Sequence, residues 1–350
     1  MQSGCAIILM TDVKFQRQMM QRKKRVQMNK TAVKKIILLS LIAVLLVVYL
    51  FQIALTGRSS SKTFSLKDEI TEITVKPGSG SELVIKKLEA GFEVGNASDQ
   101  KFYKASETSA QALFDAMREI KVVGTASSSV GNNAERYGLD EASKITVTAK
   151  TAGTTRVLTV GKNTTAGSQS YVLVDDSQAV QIANATLHAL FSCTLDSLRD
   201  KTVYSFDSQG IVSVRVSGEE PFEISRSVNT VTPSAEDETA ASSVKWNLFV
   251  NGENAEGDFS QEQINAWAIS LASLSASSWA DENVNLFEYE KVSQVDITTS
   301  AAVCSVKVFA IPDDEERFIC TSSLCEYPFY LSKYTASRFI KKISEFKSQQ

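Results

Sequence analysis

A run of twenty uncharged residues, Ile36 to Leu55, constrains this chain more than any other feature; fifteen of them are Ile, Leu, Val or Phe. At about 1.5 Å per residue such a helix reaches roughly 30 Å, the thickness of a bilayer's hydrocarbon core. Each of those side chains favours insertion by about 0.3–0.6 kcal/mol near the bilayer centre, so the segment as a whole gains several kcal/mol. Ser40 and Gln52 subtract little, since Ser bonds back to its own helix and Gln52 sits near the interface. Tyr49 stands near the exit side, where amphipathic rings are favoured. The segment predicts a single transmembrane helix over residues 36–55.

Its orientation follows from the flanks. Residues 1–35 carry nine Lys or Arg against one acid, Asp12, and seven of the nine (Arg22, Lys23, Lys24, Arg25, Lys30, Lys34, Lys35) lie directly before the apolar run. After it come only Arg58, Lys62 and Lys67 before the first predicted strand. Positive-inside bias then keeps residues 1–35 in the cytoplasm and sends the remainder across the cell (inner or cytoplasmic) membrane. A cleaved signal peptide is the weaker reading: its apolar core would run to about 7–15 residues and end in a small-residue cleavage site. Ile53-Ala54-Leu55-Thr56-Gly57 is a poor one. A buried core helix is rarely apolar on every face beside so basic a flank. Translation from Met1 or from Met28 gives the same topology. The net charge of −3 hides a body of −11 behind a +8 leader. So acidic a body is a poor partner for nucleic acid, and the basic leader is an orientation signal drawn to anionic headgroups.

Beyond the anchor, residues 56–68 (TGRSSSKTFSLKD) are a polar, Ser-rich spacer. The rest reads as α+β with mainly antiparallel strands, in two related units over 69–200 and 201–346. In the first, short strands at Ile70–Val75, Leu83–Ile85 and Phe92–Val94 precede a helix with a Thr108/Gln111 capping box, whose face holds Leu113, Met117 and Ile120. Strands at Lys144–Lys150, Thr155–Val160 and Ser170–Val174 follow, and a helix around Ala179–Leu198 closes the unit. The second unit replays this order about 150 residues later. Strands at Ile211–Val216, Phe222–Ile224 and Lys245–Val250 precede a Ser260/Gln263 cap with Trp267, Leu271 and Leu274. Strands at Gln294–Thr298, Cys304–Phe309 and Arg317–Thr321 then lead to a final helix over Thr335–Phe346. That offset fits a duplicated domain rather than a solenoid. Val228–Ser243 (VNTVTPSAEDETAASS) is acidic, small-residue rich and without apolar period, and reads as a mobile loop.

Glu135-Arg136-Tyr137-Gly138-Leu139-Asp140, the strand Lys144–Thr148, Leu158-Thr159-Val160-Gly161-Lys162, Ser170–Val174 and the stretch LDSLRDK (Leu195–Lys201) stand in an order that resembles the bacterial DUF4340 family, a domain of unknown function. The likeness is best over about 65–205 and fades afterwards, where Tyr289 alone stands in for Tyr-Gly-Leu. The resemblance implies an N-terminal membrane helix with a large outer part, and brings no activity and no catalytic residues. It also implies an association with gliding-motility-type ABC transporter components. Tyr137, Gly138, Leu139, Gly161 and Tyr171 read as structural members of the motif, with Gly138 permitting a φ > 0 turn into the next strand.

Catalytic chemistry finds little footing in the sequence. His188 is the single histidine, so a histidine-based zinc site is excluded and a Ser-His-Asp triad lacks a Gly-x-Ser-x-Gly elbow. Asp175-Asp176, Glu219-Glu220 and Asp313–Glu316 are carboxylate pairs at predicted turns, where exposed acids are commonplace. Gly78-Ser79-Gly80 lacks the strand-to-helix setting of a nucleotide loop. No motif asks for a cofactor. Cys5 falls on the reducing side, and Cys193, Cys304, Cys320 and Cys325 on the side where disulfides persist. Cys304, Cys320 and Cys325 are the disulfide candidates, either across strands or around a local loop, with small buried apolar residues as the alternative. The expectation is therefore a non-enzymatic, extracytoplasmic (periplasmic) accessory or scaffold component of an envelope or ABC-type transporter complex. The alternative is a ligand- or glycan-binding module with its site in the cleft between the units, marked by an exposed aromatic cluster drawn from Trp246, Trp267, Trp279 or Tyr327.

Overall fold

A computed structural model describes residues 30–56, 61–229, 243–255 and 259–347. The basic leader before residue 30, spacer positions 57–60 and residues 230–242 of the predicted mobile loop lie outside the described residues. The chain divides into one compact unit up to Lys62 and a second from Thr63 onward.

The first unit contains helix α1 (Lys30–Thr56), 27 residues long and so about 40 Å at 1.5 Å per residue. Its apolar side chains from Ile36 to Leu50 are half exposed or more, and Ser40 donates its hydroxyl to the Ile37 carbonyl at 2.8 Å. Among the described residues no helix is identified as long and apolar enough to cross a membrane. The transmembrane helix expected over residues 36–55 is thus not shown.

The second unit is mainly antiparallel β-sheet with some helix, and it builds two lobes. The first lobe comprises β1 (Lys62–Ser65), β2 (Ile70–Pro77), β3 (Leu83–Leu88), β4 (Gly91–Asn96), β5 (Phe102–Lys104), helix α2 (Glu107–Arg118), β6 (Glu119–Ser127), the turn α3 (Ala134–Tyr137), β7 (Ile145–Thr151), β8 (Thr155–Asn163), β9 (Ser170–Val174), β10 (Val180–Ala183) and the short helices α4 (Leu187–Phe191) and α5 (Leu195–Leu198). Its sheet runs β1-β6-β10-β9-β8-β7-β2-β3-β4-β5. The second lobe comprises β11 (Thr202–Ser205), β12 (Ile211–Ser217), β13 (Phe222–Asn229), β14 (Ser243–Val250), β15 (Glu253–Asn254), helix α6 (Gln261–Ser270), β16 (Ser273–Ser275), β17 (Ser278–Trp279), β18 (Glu290–Thr299), β19 (Val303–Ile311), β20 (Asp314–Ser322), β21 (Cys325–Ser332) and the short helix α7 (Lys333–Ala336). Its larger sheet runs β15-β14-β13-β12-β18-β19-β20-β21-β17, with β11-β16 apart. In both, a four-strand meander read backwards joins a second meander read forwards.

Each lobe has its own core. Ile73, Ile85, Val94, Val147, Leu158 and Val172 alternate along their strands onto the face covered by α2, which buries Ala110, Leu113, Phe114 and Met117. Full burial of a side chain such as Phe114 is worth about 1.5–3 kcal/mol. Tyr171 and Leu173 point from β9 to the opposite face, where Tyr137 and Leu139 cover them. The second lobe gathers Val214, Ile224, Val295, Val306 and Phe329 against Ile264, Trp267 and Ala268 of α6. It too has a small outer cluster, of Phe309 and Ile319 with Tyr289 packed against them.

Several local expectations are corrected. Helix α2 is capped by Ser106, which accepts the Ser109 amide at 3.4 Å, not by Thr108; Gln111 instead bonds Asp115 at 2.8 Å, and Ile120 falls on β6. Val180–Ala183 is a strand rather than part of a helix, because pairing with both β6 and β9 outweighs local helical pattern. The final helix over 335–346 is also absent. Only α7 and a 3₁₀ turn (Ile343–Phe346) form there. The Phe346 carbonyl accepts the Ser260 amide at 2.9 Å and Lys347 bridges to Phe259, which holds that stretch against the start of α6. The Ser260 cap is present, its hydroxyl accepting the Gln263 amide at 3.3 Å.

Candidate functional site

The two lobes meet around Arg199. Thr194 caps α5 by accepting the Ser197 amide at 3.2 Å, and the chain leaves that helix extended at Arg199 (φ −64°, ψ 142°). There it is clamped to the end of β5: the Leu198 carbonyl accepts from Ser106 at 2.8 Å, and the Asp200 amide donates to Lys104 at 2.8 Å. From the other lobe, the Trp279 amide donates to Asp196 Oδ1 at 2.8 Å. Lys201 Nζ reaches Asp196 Oδ2 at 2.8 Å and the Ser277 carbonyl at 2.7 Å.

These clamps box the Arg199 side chain in aromatic rings. Its Cζ lies 3.8 Å from the Tyr103 ring centre, 4.6 Å from Trp279 and 5.0 Å from Tyr327. Tyr103 and Tyr327 meet edge to face at 5.5 Å, and Trp279 and Tyr327 at 6.2 Å. Desolvated cation–π contacts of this kind are worth about 2 kcal/mol. Arg199 is only 8% exposed, and burial depresses its pKa, yet a guanidinium stays charged in proteins. Tyr103 is fixed by Glu282, whose Oε1 accepts the phenol proton at 2.6 Å, while Oε2 takes Lys101. Hydrogen bonds from Lys101 and Tyr103 hold the Glu282 carboxyl below the usual range. Burial and Glu282 push the Tyr103 phenol up.

Arg199 forms one wall of a pocket of about 290 Å³, shared with Tyr103, Lys104, Asp200, Trp279 and Tyr327. That volume is at the small end for ligand sites. No side-chain hydrogen bond of Arg199 occurs among the described residues, although none of its nitrogens is sealed from solvent. The indole Nε1–H of Trp279 is also buried without an acceptor. By contrast, Trp246 Nε1 donates to Asn265 at 3.1 Å and Trp267 Nε1 to the Arg338 carbonyl at 2.8 Å, both within the second core. Of the four aromatics singled out in the sequence, Trp279 and Tyr327 reach the junction.

Two larger depressions occupy matching places in the lobes and owe more to topology than to chemistry. One, of about 480 Å³, lies among Gly78-Ser79-Gly80, Lys144, His188 and Cys193; the other, of about 650 Å³, lies among Ser217-Gly218-Glu219, Lys291 and Lys341. In the first, Ser192 Oγ is 3.3 Å from His188 Nδ1, but its hydroxyl donates to the His188 carbonyl at 2.7 Å, a helix-end contact. Burial pushes the Cys193 thiol up to about 11, so it is no thiolate at neutral pH.

The carboxylate pairs serve the fold. Asp175 accepts the Val157 amide at 3.1 Å, Glu219 pairs with Lys342 at 2.7 Å, Glu220 accepts the Ser344 amide at 3.1 Å, and Asp314 pairs with Arg317 at 2.7 Å. The disulfide candidates are not brought together: Cys304, Cys320 and Cys325 are free thiols. Cys320 stands opposite Val308 in the register and Cys325 opposite Ser322, while Cys304 Sγ lies 3.5 Å from Ser322 Oγ. The motif residues, in contrast, converge. Gly138 adopts φ +65° after α3, Tyr137 and Tyr171 meet edge to face at 5.0 Å, and Leu139 packs beneath. A Cβ on Gly161 would lie 2.2 Å from the Tyr137 carbonyl, so that strand tolerates no side chain there.

Sequence reasoning missed Arg199, Lys101, Tyr103 and Glu282 as a group. The available signal was LDSLRDK, which places Asp196, Arg199, Asp200 and Lys201 within a few residues between lobes. No curated protein and no solved structure shows a significant match to the chain. The family model for the domain of unknown function DUF4340 matches residues 97–286, further into the second lobe than the motif order implied. That stretch takes in Lys101, Tyr103, Arg199, Trp279 and Glu282, and leaves out Tyr327. Because the match covers more than half of the 350 residues, the chain belongs to the DUF4340 family.

Proposed function

We propose that this chain is a membrane-anchored, non-enzymatic binding component whose body lies outside the cytoplasm, with its recognition site in the pocket around Arg199. One observation carries the reading: a guanidinium that is 92% buried, surrounded by three aromatic rings, and without a side-chain hydrogen bond among the described residues, in the wall of a pocket. A charge-assisted hydrogen bond from such a guanidinium to a bound acceptor is worth about 1.5–3 kcal/mol. The anchor is supported by the uncharged run Ile36–Leu55 behind its basic flank and by the exposed apolar surface of α1, which water disfavours and lipid accepts. The shared strand order of the lobes supports descent from one duplicated unit.

Two measurements test this. Native mass spectrometry of the full chain, released gently from its own membranes, should show a co-purifying small molecule that Arg199→Gln loses; a clean apo mass for the wild type overturns the binding role. A reporter enzyme fused after Gln350 should be active only outside the cytoplasm, and cytosolic activity overturns the topology. A second reading, docking on an ABC-type transporter or another envelope complex, is favoured by the tether, which raises the local concentration of the body at a membrane partner. Crosslinking followed by co-purification in mild detergent should then recover that partner.

A further inference from the structure

Resting on the binding role proposed above, we infer that the Arg199 pocket takes a ligand bearing a single carboxylate on a small apolar or ring-bearing body. The charge count around the pocket points to one negative charge. Lys101 is paired with Glu282, Lys104 with Asp200 at 2.6 Å, and Lys201 with Asp196 at 2.8 Å. Among the charged side chains that line the pocket itself, Lys104 and Asp200 cancel and Arg199 remains. A monoanion balances it. A phosphate dianion would bring a second negative charge among three carboxylates, at a cost that rises as the site is desolvated.

The donor geometry points to the same chemistry. The ring of Tyr103 covers one face of the guanidinium, so recognition falls to its edge, where paired N–H groups match the two oxygens of a carboxylate. The Trp279 side chain lines the same pocket, and its Nε1–H is buried without an acceptor, so its signal reports on what fills the pocket. Phe102, Tyr103, Trp279 and Tyr327 give the lining an aromatic side, beside Lys104, Asp200 and Thr202; that side suits an apolar or ring-bearing body, and a volume of about 290 Å³ keeps the body small.

The indole N–H signals of full-length ¹⁵N-labelled chain in detergent provide the readout. The chain has three tryptophans, two of them hydrogen-bonded in the second core, and Trp279→Phe assigns the third signal by its loss. The probes are benzoate against benzamide, for a free acid, and N-acetylphenylalanine against its amide, for a peptide C-terminus; inorganic phosphate is the dianion control. The Trp279 signal should move with the acids, at least about tenfold more weakly with the amides, and not with phosphate. Arg199→Lys, which keeps the charge and loses the fork, should weaken acid binding by about tenfold, the loss expected of a charge-assisted pair. Amides binding as well as the acids, or phosphate binding better, would overturn the carboxylate and leave a binding pocket standing. Wild-type chain with all three indole signals in place that responds to no probe overturns the carboxylate inference. The binding role is then decided separately by the co-purified mass. The comparison of acid with amide uses unaltered protein, so a misfolded Arg199 variant does not blunt it.

Discussion

In the first lobe the turn after β2 is pressed against the chain that leads into β7, whereas the corresponding turn in the second lobe stands clear. A Cβ on Gly78 would lie 2.3 Å from the Glu141 carbonyl; one on Gly218 would be 3.4 Å from the Val292 carbonyl. The lobes also anchor their helices differently. Arg156 on β8 donates to the Met117 carbonyl at 3.3 Å, at the end of α2, and to the Phe64 carbonyl at 3.2 Å. The end of α6 is met instead by Arg338, which donates to Ser270 at 2.7 Å from beyond α7. The largest difference lies where β6 runs unbroken for nine residues while its counterpart is split into β16 and β17. Ala276 donates to Lys201 and Ser277 to Tyr330, each from its own side of that split. The break carries Trp279 and Glu282 out to Arg199. The strand order is common to both lobes, and the departure from it builds the pocket.

Four experiments break or sharpen this comparison. Phe114→Ala and Phe339→Ala empty one core each and should each cost about 3–5 kcal/mol. Because residues from Thr63 onward form one compact unit, denaturant unfolding should show a single transition that either variant shifts. Two transitions, with only one moving per variant, would mean the lobes fold independently. Gly78→Ala should destabilise by up to about 3 kcal/mol through backbone overlap, and Gly218→Ala by well under that; equal losses would erase the distinction between the turns. Arg156→Met removes the hydrogen bonds that the guanidinium gives the Phe64 and Met117 carbonyls and should cost about 1–3 kcal/mol by thermal melting. An unchanged melt would show that this clasp adds nothing. The smallest effect belongs to Glu282. Its folded carboxyl is held below the ordinary value of 4.5 by hydrogen bonds from Lys101 and Tyr103, so its contribution is present above that pH and is lost as pH falls through the folded pKa. For a partly exposed pair the size is about 0.2–1 kcal/mol. Glu282→Gln should flatten the acid limb of the melting curve, and an unaltered limb would remove Glu282 from the junction's stability.

Much of the sheet was legible because strand period and turn chemistry agree. Ser170–Val174 alternates buried and half-buried along its length, and Gly138 stands where φ is positive. The misreadings fell where long-range pairing decides. Val180–Ala183 is drawn into the sheet by neighbours far away in sequence, and Cys325–Ser332 contains Pro328, which obscured strand β21. The site was legible only in part. Trp279 and Tyr327 drew notice as aromatics, but Arg199 is one basic residue in a charged stretch, and its burial depends on rings 80 or more residues away in either direction. Spacing along the chain cannot report such an assembly.

Both sheets taper at their margins. The first ends in β1 and β5, of four and three residues, and the second in β15 and β17, of two residues each. Stubs of that length offer an incoming strand almost no ladder of free amides and carbonyls to zip onto. Sheets this broad would otherwise template their own stacking into fibrils. Among the described residues the outermost strand of each large sheet is thus a poor template, which favours association through side chains in hollows and on faces.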